Sequence, residues 1–231
     1  MEKGKYNILN FKLYYIIQGK IMLDGVKVLY HSSIKMSKEK IMYFDPYKIN
    51  KEYKDADIIF ITHGHYDHFS EEDIEKIKKD NTFIVAPIDL CEKIREDGFK
   101  EKNIIGVEPN NTYEVDGIKF DTIPSYNVDK PFHPKENKWV GYVLNIKGER
   151  YYIAGDTDIN EDDKKVKCDI AFVPVGGTYT MTHKEAANLI NIIQPKIAVP
   201  IHYGSVTGTK EDAKKFVREL KPNIQGIILM K

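Results

Sequence analysis

Three histidines and one aspartate fall within six positions of the chain, at His63, His65, Asp67 and His68. They follow directly on an apolar run at residues 58–61, which predicts a buried strand that ends in a turn. Imidazole nitrogen and carboxylate oxygen bind zinc, iron and manganese, so this spacing predicts a metal site. A solvated loop is the alternative, but it gives no reason for such a concentration of ligands at the exit of a buried strand.

The turn has room for parts of two sites. Gly64 lies between the first two histidines and lets the backbone bend, so both imidazoles can reach one ion from the same side. Asp67 and His68 follow on the same turn and can reach a second ion. The other ligands must come from other segments.

The pattern His-x-His-x-Asp-His resembles the signature of the metallo-β-lactamase superfamily and matches it at every fixed position. This motif is specific for the fold and says little about the substrate. The resemblance implies an α/β protein with an αββα four-layer sandwich, in which two sheets pack face to face with helices outside. It covers nearly the whole chain from about residue 22.

The resemblance also implies ligands on later segments. Asp156, in Ala-Gly-Asp-Thr-Asp, resembles the family's bridging carboxylate, with an ordinary turn aspartate as the alternative. His202, in Val-Pro-Ile-His-Tyr-Gly, resembles the family's last ligand, with a loop histidine as the alternative. His133 lies where the family has its mid-chain histidine, although a mobile surface histidine would also suit this loop. Residues 125–127 and 132–135 resemble the branch with the ascorbate-phosphate lactonases and many uncharacterised metal-dependent hydrolases.

These ligands define a two-ion site in which Asp156 lies between the ions. One ion is assigned His63, His65 and His133, and the other Asp67, His68 and His202. The ions are expected to be divalent, with zinc favoured and manganese or iron as alternatives, and to lie about 3.5–4 Å apart. The metals would turn a bridging water into hydroxide near neutral pH, and the hydroxide would attack an acyl carbon or a phosphorus. Asp67 is the predicted catalytic residue, because its carboxylate can orient this nucleophile.

Further residues are candidates for orienting the ligands or contacting substrate. Asp45 could accept a hydrogen bond from a ligand histidine, or be a simple turn residue before Pro46. His31 could contact substrate or be a hydrogen-bonded structural histidine. Lys130 could pair with a substrate phosphate or carboxylate, or be merely solvated. The full set is Asp45, His31, Asn127, Lys130, His183 and Tyr203.

Composition restricts the setting. The 231 residues suit a single domain over residues 1–231, in which residues 1–20 are either an N-terminal extension of the fold or an extra strand. Lys plus Arg equals Asp plus Glu at 35 each, which argues against a nucleic-acid partner. No segment approaches a membrane span and no signal cleavage site follows residues 6–17, so a cytoplasmic location is predicted. Residues 14–17 are apolar enough to join subunits, so a homo-oligomer stays open.

The leading hypothesis is therefore a cytoplasmic metal-dependent hydrolase of a small ester, lactone or phosphate ester. One alternative is a nuclease or phosphodiesterase of the same fold, which the zero net charge disfavours. The other is a non-hydrolytic metal-binding or sensing protein. A purely structural protein would be expected to lose ligands, whereas all seven can be assigned here, so the ligand count favours an enzyme.

Local patterns predict the elements around the site. A strand at residues 41–44 stops at Asp45-Pro46, because proline cannot donate to a ladder. Ser70, Thr182 and Thr209 are predicted helix N-caps. Asp24-Gly25 predicts a hairpin turn, and residues 227–230 predict a closing strand.

Overall fold

The computed structural model describes residues 21–230 of the chain. The predicted extension over residues 1–20 lies outside the described residues, and a single domain over residues 1–231 stays a prediction. The described residues form two β-sheets whose outer faces are covered by helices.

The first sheet keeps its strands in sequence order. Its first three strands are antiparallel neighbours, and from the third strand onward they run parallel. The strands are β1 (Val26–Tyr30), β2 (Ser33–Ser37), β3 (Ile41–Phe44), β4 (Ile58–Phe60), β5 (Phe83–Pro87) and β6 (Ile104–Val107).

The second sheet also follows sequence order, with antiparallel pairs in its first four strands and parallel pairs in the rest. The strands are β7 (Thr112–Val115), β8 (Ile118–Pro124), β9 (Val140–Ile146), β10 (Glu149–Ile153), β11 (Ile170–Pro174), β12 (Ile197–Ile201) and β13 (Gln225–Gly226). Both β11 and β12 are buried along their whole length, as expected for parallel strands covered on both faces.

The helices begin where short polar side chains cap them. Ser70 accepts a hydrogen bond from the backbone N–H of Asp73, and Thr182 and Thr209 each complete a capping box, so all three predicted caps are confirmed. The helices are α1 (Glu71–Ile77), α2 (Cys91–Glu96), α3 (His183–Ile193) and α4 (Lys210–Arg218). No helix within residues 21–230 is long and apolar enough to cross a membrane.

The core is divided into three apolar layers. The central layer lies between the sheets and includes Phe44, Phe60 and Phe172. An outer layer packs α1 and α2 on the first sheet, and the other outer layer packs α3 and α4 on the second. Helix, sheet, sheet and helix therefore follow one another, which confirms the αββα sandwich.

Two local predictions are wrong. Asp24-Gly25 does not join two strands, because residues 21 and 22 are helical and the turn leads directly into β1. Residues 227–230 do not form a strand, since the last paired residues are Gln225 and Gly226. The apolar side chains beyond them pack against the central core instead, so their pattern reflects burial rather than strand pairing.

Hydrogen bonds join the two sheets beside the histidine turn. The Tyr142 hydroxyl, on β9, donates to the backbone oxygen of Ile61 over 2.6 Å. The backbone N–H of Val140 donates to the oxygen of Thr62 over 3.2 Å. The Tyr142 ring is fully buried against Phe60, so the end of β4 is fixed relative to the second sheet.

Replacing Tyr142 by phenylalanine tests this connection. We expect Tyr142→Phe to lower the free energy of unfolding by about 1–3 kcal/mol, because the Ile61 oxygen loses its buried donor. Urea unfolding of both proteins measures the change. Tyr53→Phe is the matched control, since the Tyr53 hydroxyl has no hydrogen bond among the described residues and its loss should matter by less than about 0.5 kcal/mol. Equal effects of the two changes would contradict the assigned role of the Tyr142 bond.

Candidate metal centre

Histidines and acidic residues from distant parts of the sequence meet at one edge of the sandwich. Parallel strands place their carboxyl ends at the same edge, so the segments that follow them are brought together. The contributions are His31 after β1, Asp45 after β3, His63 to His68 after β4, His133 between β8 and β9, Asp156 after β10, and His202 after β12. The structure thus brings together every residue that the sequence predicted as a metal ligand.

The backbone is strained at three of these positions. The φ angle is 51° at His31, 45° at Asp45 and 57° at His202, in the left-handed region that costs about 1–2 kcal/mol for a non-glycine residue. Hydrogen bonds from neighbouring segments hold the strained residues, such as the bond of 3.1 Å from the His202 N–H to the His31 oxygen. Concentrated strain of this kind is characteristic of functional sites.

One group of ligand atoms contains the three residues predicted for the first ion. The ring nitrogens of His63, His65 and His133 lie within 4.8 Å of one another. His63 Nε2 and His65 Nδ1 are 3.0 Å apart, and the His133 ring packs edge-on against both rings. These nitrogens can therefore face a common point.

Asp156 lies at the centre of the cluster. Its Oδ2 is 2.9 Å from His202 Nε2 and 3.3 Å from His133 Nε2, whereas its Oδ1 is 3.3 Å from His68 Nε2. The residue before it, Gly155, has a φ of 68° and approaches Thr62 so closely that a Cβ would lie 3.1 Å from that side chain. A single carboxylate thus reaches ligands of both predicted ions.

A second group of ligand atoms contains two of the three residues predicted for the second ion, together with His31. Ligand atoms of His31, Asp67 and His202 lie within 4.8 Å of one another. His68, the third predicted ligand, groups with His63 and Asp156, and its Nε2 also lies 3.7 Å from Asp67 Oδ2. Asp45 holds His68 at Nδ1 and leaves its Nε2 directed towards the carboxylates.

The donor set fits divalent metal ions. Several buried ring nitrogens lie 2.9–3.3 Å from carboxylate oxygens, yet they make no hydrogen bond because the angles are unsuitable. Buried polar atoms without a partner are rare, so each requires an explanation. Nitrogen and carboxylate atoms that point past one another towards common points are the arrangement that a bound cation requires. The buried atoms without a hydrogen bond include Nε2 of His31, His68, His133 and His202 and Oδ1 of Asp156.

The electrostatics distinguish the members of the cluster. Burial lowers the pKa of His63 well below its usual value and keeps its imidazole neutral. Burial opposes ionisation of Asp156, but His202 and His68 outweigh it and hold its pKa well below the usual range. Burial also opposes ionisation of Asp67, yet His31 and His68 bring its pKa to about 2. Asp67 is therefore an ionised hydrogen-bond acceptor at neutral pH and a weak base.

Asp45 orients the histidine turn. Its carboxylate accepts hydrogen bonds from the Thr62 N–H and the Thr62 hydroxyl, each at 2.8 Å, and lies 2.7 Å from His68 Nδ1. Burial of 99% of its surface strengthens these contacts, since water does not compete for them. Carboxylates that hold the far nitrogen of a ligand histidine fix the orientation of its ring.

Asn127 has the same kind of role for His133. Its Oδ1 accepts a hydrogen bond of 3.0 Å from the His133 N–H and lies 2.9 Å from His133 Nδ1. Its Nδ2 donates to the backbone oxygen of Tyr179 over 3.0 Å. Asn127 therefore joins a ligand loop to the loop that carries Tyr179.

A small pocket opens in front of the cluster. Its volume is about 230 Å³ and its floor is formed by ligand atoms, while its walls are aromatic and apolar. A larger cavity of about 580 Å³ lies at the opposite edge of the first sheet, near the start of β5, but it contains none of the grouped ligands. The smaller pocket is lined by His65, Tyr66, Asp67, Phe132, His133, Asp156, Tyr179, His202 and Val206.

Three of the candidate substrate contacts do not line the pocket. Lys130 is ion-paired with Asp158, so its charge is already neutralised. His183 is at the start of α3 with its Nδ1 3.0 Å from Glu219. Tyr203 is fully buried in the outer layer of the second sheet.

The sequence analysis did not predict the aromatic side chains that surround the histidine cluster and its pocket. Trp139 packs against His63 and His65 with ring centroids 5.0 and 5.1 Å apart, and its Nε1 donates to Asp89 over 3.0 Å. Phe132 and Tyr179 meet edge to face at 4.7 Å across the pocket wall. The single tryptophan, six residues after His133, was the available signal for the first contact.

Asp163 supports the loop that follows Asp156. It is fully buried, accepts a hydrogen bond of 2.7 Å from the Tyr152 hydroxyl, and lies 3.2 Å from the Thr157 hydroxyl. Burial raises its pKa from 3.8 to about 7, despite these hydrogen bonds. The carboxyl group therefore takes up a proton more readily in the folded chain than in the unfolded one.

Replacing Asp45 by alanine should weaken metal binding. We expect Asp45→Ala to lower the affinity for zinc by about 10–100-fold, because His68 loses the carboxylate that orients it. Competition with a chromophoric chelator measures the affinity, and circular dichroism checks the fold. Asp116→Ala is the control, since Asp116 has a similar φ of 48° but pairs with Lys40 at the surface. An equal loss of affinity in both variants would show that backbone strain, and not the contact with His68, is responsible.

The raised pKa of Asp163 predicts a pH-dependent stability. Between about pH 4 and pH 7 the unfolded chain has lost this proton while the folded chain keeps it, so the contribution of Asp163 to the free energy of unfolding falls as the pH rises. The fall is at most about 1.4 kcal/mol per pH unit. Asp163→Asn should therefore gain stability relative to the wild type at pH 8 compared with pH 5, as measured by urea unfolding.

Asp116→Asn controls for the loss of a negative charge, because Asp116 lies at the surface, pairs with Lys40 and is not among the groups that act on Asp163. Its difference from the wild type should be the same at both pH values. A constant difference for Asp163→Asn as well would refute the role assigned to Asp163.

Comparisons with known proteins agree with this geometry. The model of the β-lactamase superfamily domain matches residues 26–202. A UPF0173 metal-dependent hydrolase from Thermoplasma acidophilum is 31% identical over 214 residues, covering 84% of this chain and 90% of that protein. Another from Thermococcus onnurineus is 29% identical over 216 residues, covering 88% and 95%.

Solved structures show the same fold. A candidate metal-dependent hydrolase from Parabacteroides distasonis has a TM-score of 0.75 and 30% identity, and the match covers 89% of this chain and 93% of that chain. A metallo hydrolase from Ignicoccus hospitalis has a TM-score of 0.73 at 19% identity, with coverage of 89% and 94%. With its ligand motif, sandwich architecture and these matches, the chain belongs to the metallo-β-lactamase superfamily and, within it, to the UPF0173 metal-dependent hydrolases.

Proposed function

We propose that this protein hydrolyses a small, uncharged acyl ester or lactone that carries an apolar or aromatic group, with two divalent metal ions at the histidine cluster. That it is a metal-dependent hydrolase follows from its family, since its curated relatives are named so. The proposal concerns the substrate, the number of ions and the residues that hold them.

The observation that carries the proposal is the composition of the pocket. Among the described residues that line it there is no lysine or arginine, and four of the nine are Tyr66, Phe132, Tyr179 and Val206. Tyr66 is 64% exposed and Phe132 is 40% exposed, so both offer aromatic surface to an entering molecule. Apolar walls with a few polar groups at one end suit an uncharged substrate with one reactive carbonyl.

Phosphate esters fit this pocket less well. A phosphate group is normally held by arginine, lysine or backbone N–H groups in addition to metal. The nearby Lys130 is paired with Asp158, which removes the cation that the sequence suggested for this purpose. The same argument disfavours a nuclease or phosphodiesterase, and the zero net charge supports it.

The chain's own residues have distinct tasks in this proposal. His63, His65 and His133 would hold one ion, and the Asp156 carboxylate, which lies beside His133 and His202, would contribute to the binding of both. When bound, the ions supply Lewis acidity and make water a nucleophile near neutral pH. Asp67 lines the pocket and, as an ionised acceptor, orients the attacking water by accepting its hydrogen bond.

The walls act on the substrate rather than on the nucleophile. Tyr179 is fixed through Asn127 to the His133 loop, so the aromatic wall keeps a defined distance from the ligands. An apolar group packed against the touching rings of Phe132 and Tyr179 would exclude water from that side and direct the carbonyl to the pocket floor.

Several features stay proposals alongside the substrate. We favour zinc, with manganese or iron as alternatives, because imidazole and carboxylate ligands suit all three. A small-molecule substrate without a nucleic-acid partner accords with the pocket size and the net charge. A cytoplasmic location and a homo-oligomer stay predictions.

Paired substrates test the proposed specificity. Protein loaded with zinc, manganese or iron should hydrolyse phenyl-bearing acyl esters and aryl lactones with a kcat/KM at least tenfold above that for phosphate mono- and diesters of the same alcohols. Phe132→Ala should raise KM for the phenyl-bearing ester by roughly three- to tenfold, since one aromatic contact contributes about 0.5–1.5 kcal/mol. For the same variant, the KM for a short-chain alkyl ester, which has no phenyl group, should stay unchanged. The number of metal ions per chain should also stay unchanged.

Ile192→Ala is the control, because Ile192 is 45% exposed but lies on α3 away from the pocket. Preferred hydrolysis of phosphate esters would overturn the substrate class. Metal-loaded protein that hydrolyses none of these compounds would favour the non-hydrolytic metal-binding alternative.

A further inference from the structure

His31 lies outside the His-x-His-x-Asp-His motif, but its surroundings are those expected of a metal ligand. It follows β1 and is fully buried, with a φ of 51°. Neither of its ring nitrogens makes a hydrogen bond to a described residue. A buried imidazole usually has at least one partner, so a purely structural histidine would not be left in this condition.

The position of His31 within the cluster is close to two predicted ligands. Its Nε2 lies 3.3 Å from Asp67 Oδ2, and its ring centroid is 4.0 Å from that of His202. The three residues offer ligand atoms within 4.8 Å of one another. His68 Nε2 and His202 Nε2 both lie 3.7 Å from the same Asp67 oxygen, so His31 approaches it more closely than either of them.

We propose that His31 is a direct ligand of the second metal ion, together with Asp67 and His202. The proposal rests on the metal dependence proposed above and deepens it, because it adds a residue to those that hold that ion. His68 keeps its place among them, since its Nε2 lies 3.7 Å from Asp67 and 3.3 Å from Asp156. The second ion thus also depends on a residue that follows the first strand, outside the family's His-x-His-x-Asp-His motif.

A substrate contact is the competing role for His31. The residues that line the pocket include Asp67 and His202 but not His31, so its imidazole lies behind them and not at the substrate face. The His31 side chain is 0% exposed, which also separates it from an entering substrate. The observations therefore favour a role towards the ion.

The backbone around His31 is anchored from two directions. Its oxygen accepts the N–H of His202 over 3.1 Å, and its N–H donates to Met230 Sδ over 3.2 Å. These bonds hold the left-handed conformation that turns the imidazole inward. Such positioning is needed for a ligand, whose atoms must be fixed to within a fraction of an ångström.

The test replaces His31 and counts the ions that remain. His31→Asn is the main variant, since asparagine tolerates a positive φ better than most residues. His183→Asn is the matched control, because His183 is paired with Glu219 outside the cluster. Each protein is loaded with cobalt, the ions per chain are measured by elemental analysis, and the visible absorption reports the coordination.

We expect His31→Asn to keep one tightly bound ion, to bind the second at least tenfold more weakly, and to show an altered cobalt absorption. His183→Asn should match the wild type in all three respects. Two ions with wild-type affinity and an unchanged spectrum in His31→Asn would overturn the proposal.

A second measurement uses the unaltered chain, so it does not depend on whether the variant folds. Exchangeable imidazole protons of cobalt-bound histidines appear as shifted proton resonances. The wild type should show one such resonance for each of the six histidines in the grouped ligand sets, His31 included. A spectrum in which the ring protons of His31, assigned through their contacts with neighbouring protons, are not shifted while both ions are bound would exclude His31 as a ligand.

These outcomes separate the two proposals. Wild type that binds two ions with His31 as a ligand but hydrolyses no ester would refute the proposed function and leave the ligand assignment standing. If the wild type hydrolyses esters with two ions bound but the His31 proton resonance is not shifted, the proposed function stands and His31 is not a ligand. Wild type that binds no cobalt would refute both.

Discussion

The desolvation of charge at the edge of the sandwich is the constraint on which the site depends. Six imidazoles and two carboxylates meet there, and most of their surface is buried. Buried charges and polar groups are unfavourable unless they are paired. Here the pairing within the chain is incomplete, because close nitrogen and oxygen atoms are oriented past one another. The cluster is therefore arranged for a cation, and the folded chain holds it in that arrangement by contacts made elsewhere.

Those contacts come from residues that are not themselves predicted ligands of an ion. Asp45 fixes the start and the end of the histidine turn through Thr62 and His68. Asn127 does the same for His133, and the bond from Tyr142 to Ile61 ties the turn to the second sheet. Each support uses a hydrogen bond that is shielded from water, so it is stronger than its surface counterpart. The precision of the centre is thus a property of the packed sandwich rather than of the turn alone.

Much of this arrangement could be predicted from sequence. The ligand turn after β4 was recognisable because short-range spacing determines which side chains a tight turn presents. Asp156 and His202 were found through their resemblance to family segments, since nothing local distinguishes them from ordinary loop residues. The αββα order followed from the same resemblance and from apolar strands that alternate with capped helices.

What the sequence could not supply depends on orientation and on long-range packing. The position of His31 beside Asp67 depends on its backbone contacts with His202 and Met230, which no spacing encodes. Lys130 was a candidate partner for a substrate phosphate or carboxylate, but its charge is neutralised by Asp158, 28 positions away. Tyr203 was a candidate substrate contact, but it is buried in the apolar layer between the second sheet and its helices. Errors of this kind concern single side chains and leave the architecture unaffected.

The closure of the centre by distant segments also has a consequence for biosynthesis. His31 receives the N–H of His202 and donates its own to Met230, 199 positions further along the chain. During translation the first sheet can therefore emerge and begin to pack long before its partners in the cluster exist. The histidines of the first sheet are therefore made before the residues that complete the proposed centre. Assembly of the complete centre would consequently be a late event in folding, after His202 and the segment around Met230 have left the ribosome.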